Sequence, residues 1–196
     1  MKGKIMNYFE PVSKENLPQK SKDILDKIES NYGFLPNVFL SMAHSPQLLK
    51  SYTEMDEKFK TTDGLTTEEK NLVLLSVSTE NRSHFWSAVH STVLRNQTEL
   101  SDKVIDAVRN HETVPDKKLH ALVNFTRAMT TSRGQPAKET FQAFLDAGYS
   151  KQNVSEIVLA IGMKTLTNYS NSLFNTPLNE QFSSEKWEPS SSQQAA

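Results

Sequence analysis

The chain has 196 residues, 36% of them hydrophobic, with 22 Lys and Arg against 23 Asp and Glu for a formal net charge of −1. That balance gives no electrostatic footprint for nucleic acid or an anionic membrane surface, and no apolar run approaches the roughly 18 residues of a membrane-spanning helix. Cysteine is absent, which excludes disulfides and any thiol chemistry by this chain alone.

In chain order, residues 1–16 read as a polar leader, with Phe9 and Pro11 placed to dock on the body. MKGKIMNYFEPV lacks an apolar h-region, so no secretory signal is expected and the cytoplasm is the default location. A first helix is expected from Pro18 to Tyr32, with Ile24, Leu25 and Ile28 facing inward and Gly33 as its stop. Pro36 is placed to open a short helix, and Ser45-Pro46 to cap and start another toward Lys60. After an Asp63-Gly64 turn comes the stretch that organises the rest, Thr66 to Asn96. Thr66 with Glu69 makes a capping-box pattern, and Leu72, Val73, Leu75 and Val77 form an apolar segment behind it. The polar run Thr79-Glu80-Asn81-Arg82-Ser83 forms an elbow. Ser83 is the expected N-cap of a second helix, its hydroxyl among free backbone N–H groups. Trp86 and His90 follow Ser83 at i+3 and i+7, on one face of that helix.

Further on, Ser101 and Asp116 are expected caps, the latter for a helix presenting Leu119, Leu122, Val123, Phe125 and Met129. Pro136 marks another helix start, with Phe141, Phe144 and Leu145 inward, ending at Gly148. Ser150 caps the last long helix, whose stripe is read as Val154, Ile157, Val158, Ile161 and Leu166. From about Ser183 the segment SSEKWEPSSSQQAA reads as a disordered polar tail, 183–196. No period-two alternation persists, so the expected fold class is all-α.

The pattern Glu80-Asn81-x-Ser83-x-x-Trp86-x-x-x-His90 resembles the signature of the AhpD-like, or carboxymuconolactone decarboxylase-like, family. It agrees at Asn81 and His90, and Phe85 stands at a frequent aromatic position. Ser83 and Trp86 stand at the two cysteine positions, and Asn71 where the family usually has a glutamate. GFLPNVFLSMAHSPQLLKSY resembles a second family segment and points to the peroxidase-related branch. LTNYSNSLFNTPLN resembles the family's closing pattern at Asn168 and Asn171. The resemblance covers residues 17–182, read as one domain. It implies an AhpD-like helical bundle whose central helix pair packs in a homo-oligomer, with which the low apolar fraction is compatible. It also implies peroxidase or decarboxylase activity, with Glu80, Ser83, Trp86 and His90 as the site positions.

The residues themselves narrow that chemistry. A dithiol at a helix N-terminus works through a stabilised thiolate; a serine hydroxyl and an indole cannot replace it, so thiol peroxidase turnover is not expected. His90 is either a hydrogen-bonded interface histidine or an acid–base group titrating near neutrality. Ser83 as a nucleophile with His90 as base fails on distance, since seven helical residues rise about 10.5 Å where roughly 3 Å is needed. Glu80 reads as a general base or as a solvated loop carboxylate. Trp86 reads as a filler of the former redox pocket; if that pocket stays partly open, Trp86, Phe85 and His90 line a cavity for a small ligand. No two of His44, His84, His90, His111 and His120 are spaced i, i+4, so no metal is expected, and no glycine-rich phosphate loop occurs, so no nucleotide cofactor is expected. Three functions remain open. One is a small-molecule or partner-binding protein in the remnant pocket. The others are a cysteine-independent decarboxylase- or isomerase-like enzyme using His90 and Glu80, and a structural component of an oligomer.

Overall fold

A computed structural model of the chain describes residues 12–189; the expected docking of Phe9 and Pro11 lies outside them. The helices are α1 (Gln19–Tyr32), α2 (Asn37–Met42), α3 (Pro46–Lys60), α4 (Thr67–Glu80), α5 (His84–Gln97), α6 (Asp102–Arg109), α7 (Lys117–Thr131), α8 (Lys138–Asp146) and α9 (Lys151–Leu173). Short 3₁₀ turns cover Lys14–Asn16 and Glu180–Glu185, and no strand occurs among the described residues.

The helix starts follow from local chemistry. Thr66 Oγ accepts the Glu69 N–H at 3.2 Å while Glu69 Oε2 accepts the Thr66 N–H at 3.0 Å, and Ser150 and Asn153 make the same reciprocal pair at α9. Asp116 and Ser45 each accept one amide, from Leu119 at 2.8 Å and Leu48 at 3.2 Å. Such caps contribute about 1 kcal/mol each. The prolines sit slightly further out than expected: Pro36 is the N-cap of α2, and α8 opens after Ala137, one residue beyond Pro136. A missing N–H costs nothing where no helical partner exists anyway. Gly33, at φ 74°, closes α1 and donates to Glu29 O at 2.9 Å.

Helix α4 is the centre. It packs on α5, α6, α7 and α9, and every residue from Leu72 to Thr79 is buried. A helix buried on all sides needs an apolar circumference, and α4 includes Ser76, Ser78 and Thr79. Their hydroxyls return to the helix itself, onto Leu72 O and Leu74 O at 2.7 Å and Ser76 O at 3.0 Å, so none is stranded. The chain then reverses at the elbow, where Arg82 takes the left-handed conformation (φ 54°) and the Ser83 N–H reaches back to Ser78 O at 2.9 Å. That six-to-one bond closes α4 as a Schellman-type cap and delivers α5 alongside it.

Two expectations change. The α9 stripe read from apolar residues is only part of the inward face: Ile157 is buried and Val154 and Ile161 pack against the core, but Val158 is exposed, and the buried set also includes Asn153, Glu156, Lys164, Thr167, Asn168 and Asn171. Of these polar residues, Lys164, Thr167 and Asn171 turn inward onto partners on the α5 side. The segment after Ser183 is not a disordered tail over its described part, 183–189. Trp187 is buried, and its indole N–H donates at 3.1 Å to the carbonyl of Arg109, one of the orphan acceptors at the α6 C-terminus. Glu185 bridges Arg95 at 2.9 Å and Arg109 at 3.1 Å, while Arg95 also pairs with Asp102 and Asp106. An indole and a carboxylate with waiting partners offset the ordering entropy of a polar segment.

Candidate functional site

Helices α5 and α9 run antiparallel with a fixed register that pairs Ser83 with Asn171, Trp86 with Thr167 and His90 with Lys164. Asn171 Nδ2 lies 3.4 Å from Ser83 Oγ, Trp86 Nε1 donates to Thr167 Oγ1 at 2.8 Å, and Lys164 Nζ lies 3.0 Å from His90 Nε2. Each residue on α5 is one helical turn from the next, so one continuous polar seam joins the two helices.

The Lys164 amine is the centre of this seam. Its residue is fully buried, its Nζ lies 3.5 Å from the centroid of the Trp86 ring, and its one hydrogen-bond partner among the described residues is His90. His90 is stacked on Trp86, with ring centroids 5.3 Å apart and planes 21° from parallel. Its other nitrogen, Nδ1, faces Asn71 Oδ1 at 3.4 Å. An acceptor at Asn71 places the imidazole proton on Nδ1 and leaves Nε2 free to accept from the amine. Tyr52 of α3 packs on the Trp86 ring at 6.0 Å. Burial pushes Lys164 well below the usual lysine range, against the pull of Asp56. Burial likewise pushes His90 well below the usual histidine range, assisted by the charges of Lys164 and Lys60. Both act by penalising the charged form, so the seam favours the neutral amine and the neutral imidazole.

The four residues singled out in the sequence therefore separate. His90 and Trp86 belong to the cluster. Ser83 sits at the N-cap position, but its hydroxyl makes no cap bond; it turns instead toward Asn171. Glu80 is largely buried and makes no hydrogen bond or ion pair to this cluster among the described residues. As the last residue of α4 it pairs with Arg127 and His111, each at 3.4 Å, and burial raises its carboxyl against the pull of Arg127 and Arg82. The pairing of Glu80 with His90 as acid and base is not what the fold brings together. Lys164 takes that place. Its signal lay in the sequence, since it is the single charged residue between Ile157 and Leu173, in phase with Ser150, Asn153 and Ile157.

The Trp86 indole fills the space beside His90. Two surface hollows lie elsewhere: about 350 Å³ between α7 and α9, lined by Met129, Arg133, Val158, Ile161 and Tyr169, and about 100 Å³ beside Asn37, Leu40 and Thr176. Within the seam, Ser87 Oγ, both amide atoms of Asn168 and Asn171 Oδ1 are buried and make no hydrogen bond. Among the described residues no group of three or more His, Asp or Glu side chains could hold a metal ion, and no helix is long and apolar enough to cross a membrane.

No protein-family model matches the sequence, and no curated protein does. Solved structures do match. An uncharacterized peroxidase-related protein from Ralstonia eutropha JMP134, described as an alkylhydroperoxidase AhpD core, superposes with a TM-score of 0.76 at 21% identity over 89% of this chain and 93% of that one. The debrominase Bmp8, in a complex with 2,3,4-tribromopyrrole, gives 0.72 at 18% over 92% and 96%. A peroxidase-related protein from Silicibacter sp. TM1040 gives 0.74 at 17% over 91% and 97%. At these identities the likeness speaks to architecture, and on it the chain has the all-helical fold of the AhpD core.

Proposed function

We propose that this is a cysteine-free member of the AhpD-like family, in its peroxidase-related branch, that binds a small molecule at the remnant of the redox site. In this reading Ser83 and Trp86 occupy the positions of the redox cysteines, and the protein is not a thiol peroxidase. The observation that carries it is the Lys164 amine, buried without a carboxylate partner among the described residues and hydrogen-bonded to His90 over the face of Trp86. Burying an ionisable amine costs several kcal/mol, a feature that clusters at functional sites. The spare hydrogen-bonding capacity of Asn168, one turn from Lys164, and of Ser87 supports a polar ligand atom there. The TM-score partner that holds a halogenated pyrrole shows the same architecture accommodating a small ring. The reading carries with it a cytoplasmic homo-oligomer.

Acid–base catalysis of a decarboxylase or isomerase type is the second reading. It is favoured by the His90–Lys164 contact at 3.0 Å and not by Glu80, which is engaged by Arg127. A purely structural role is the third, favoured by the exposed Val158, Tyr169 and Leu173 on α9.

The test is a binding screen with 2,3,4-tribromopyrrole, phenols and small aromatic acids. The expected result is a saturable rise in melting temperature for at least one compound, with a change in Trp86 fluorescence and loss of both effects in His90→Ala. A folded protein that gives no shift with any of them would favour the structural role.

A further inference from the structure

Lys164, His90 and Asn71 are arranged in the order of an activated nucleophile, its base and the group that orients the base. Nζ to Nε2 is 3.0 Å and Nδ1 to Oδ1 is 3.4 Å, within the reach such relays show in a resting state. The amine has no carboxylate within bonding distance among the described residues to hold it as an ammonium. The charge that acts on it comes from Asp56 of α3, which itself pairs with Lys60 at 2.6 Å. Desolvation of this kind is what turns a lysine from a point charge into a nucleophile. The lid over it is Trp86, held by one side-chain hydrogen bond to Thr167. Trp86 and His90 keep 7% and 6% of their surface exposed, so the amine lies directly beneath rings that reach solvent.

We propose that Lys164 forms a Schiff base with a small aldehyde or ketone, with His90 as its proton carrier. This rests on the small-molecule reading above and names the ligand's reactive group. The Nζ lone pair attacks the carbonyl carbon and a C–N bond forms. His90 Nε2 takes one amine proton and delivers it to the carbonyl oxygen, giving the neutral carbinolamine. The remaining N–H proton then passes through His90 to the hydroxyl, the C–O bond breaks, and water leaves as the C=N bond forms. Amine plus carbonyl gives imine plus water, with no change in oxidation state. Tyr52 and Trp86 make the approach apolar, which suits a small, uncharged carbonyl compound.

Reductive trapping tests this on the full chain. The protein is incubated at pH 6.5 with propionaldehyde or cyclohexanone and sodium cyanoborohydride, and adducts are assigned by peptide mass. At that pH a fully solvated amine reacts slowly, because protonation holds back its lone pair, and Lys50, exposed on α3, supplies the surface comparison. The expected result is modification of Lys164 at least about tenfold faster than Lys50, and a slowing of about tenfold or more in His90→Gln. Lys164→Met supplies the peptide control, and a Trp86→Ala variant is expected to react faster than the native chain. Labelling of Lys164 only after unfolding in urea, in both the native chain and Trp86→Ala, would overturn the proposal. If ligands raise the melting temperature without any Lys164 adduct, the nucleophile assignment falls and the binding reading stands; if neither occurs, both fall.

Discussion

Replacing Lys164 with methionine isolates the amine from its packing. The side chain is fully buried over Trp86, and methionine fills nearly the same volume without a charge to desolvate. A lysine whose folded-state pKa is depressed binds a proton in the unfolded chain but not in the folded one, between the folded pKa and about 10.5. Stability must therefore rise with pH across that window, by up to about 1.4 kcal/mol per pH unit for one proton. Burial raises Tyr52 and Tyr149, which removes stability only above about pH 10, and burial lowers His90 and His111, whose effect lies on the acid side of that window. The native chain is expected to gain up to about 2.7 kcal/mol over those two pH units, and Lys164→Met to gain almost none. The constant terms, including the unpaired His90 Nε2 left in the variant, cancel in that difference. Urea unfolding followed by circular dichroism at pH 7, 8 and 9 reads it. Parallel pH dependences in the two proteins would refute the reasoning.

Acid should act through the histidines with the same sign. Burial lowers His90, and lowers His111 to about 4, so the unfolded chain takes up protons first and stability falls as pH drops from 6.5 toward 5; His90→Gln is expected to reduce that slope in urea titrations. Trp86→Ala removes the ring under Lys164 and beside His90, and is expected to cost about 3–5 kcal/mol. Indole should then raise the melting temperature of that variant more than that of the native chain. Trp187→Ala should release the segment pinned to Arg109, costing about 3 kcal/mol and exposing the bond after Lys186 to trypsin under native conditions.

Much of the architecture is legible because its signals are local. Thr66 with Glu69, Asp116 and Ser150 cap helices where short-range hydrogen bonding dictates, and the elbow at Asn81–Ser83 announces itself by polarity. The reading fails where a partner far along the chain decides. Apolar residues alone leave out the polar part of the inward face of α9, because Thr167 and Asn171 are buried against Trp86 and Ser83, far back in the chain. Glu80 reads as a free carboxylate until Arg127, 47 residues later, is seen beside it. Trp187 looks like an isolated aromatic in a polar tail, and only the open carbonyl at the end of α6 gives it a place. Lys164 was visible as the single charge between Ile157 and Leu173, but charge by itself suggests solvent, and its partner lies 74 residues away.

Nitrogen NMR of the lysine side chains tests the central claim most directly, since it reads the protonation of Lys164 in the folded protein. One amine, identified by its loss in Lys164→Met, is expected to show the shift of a neutral –NH₂ at pH 7. A Lys164 resonance with the ammonium shift at pH 7 would contradict the account.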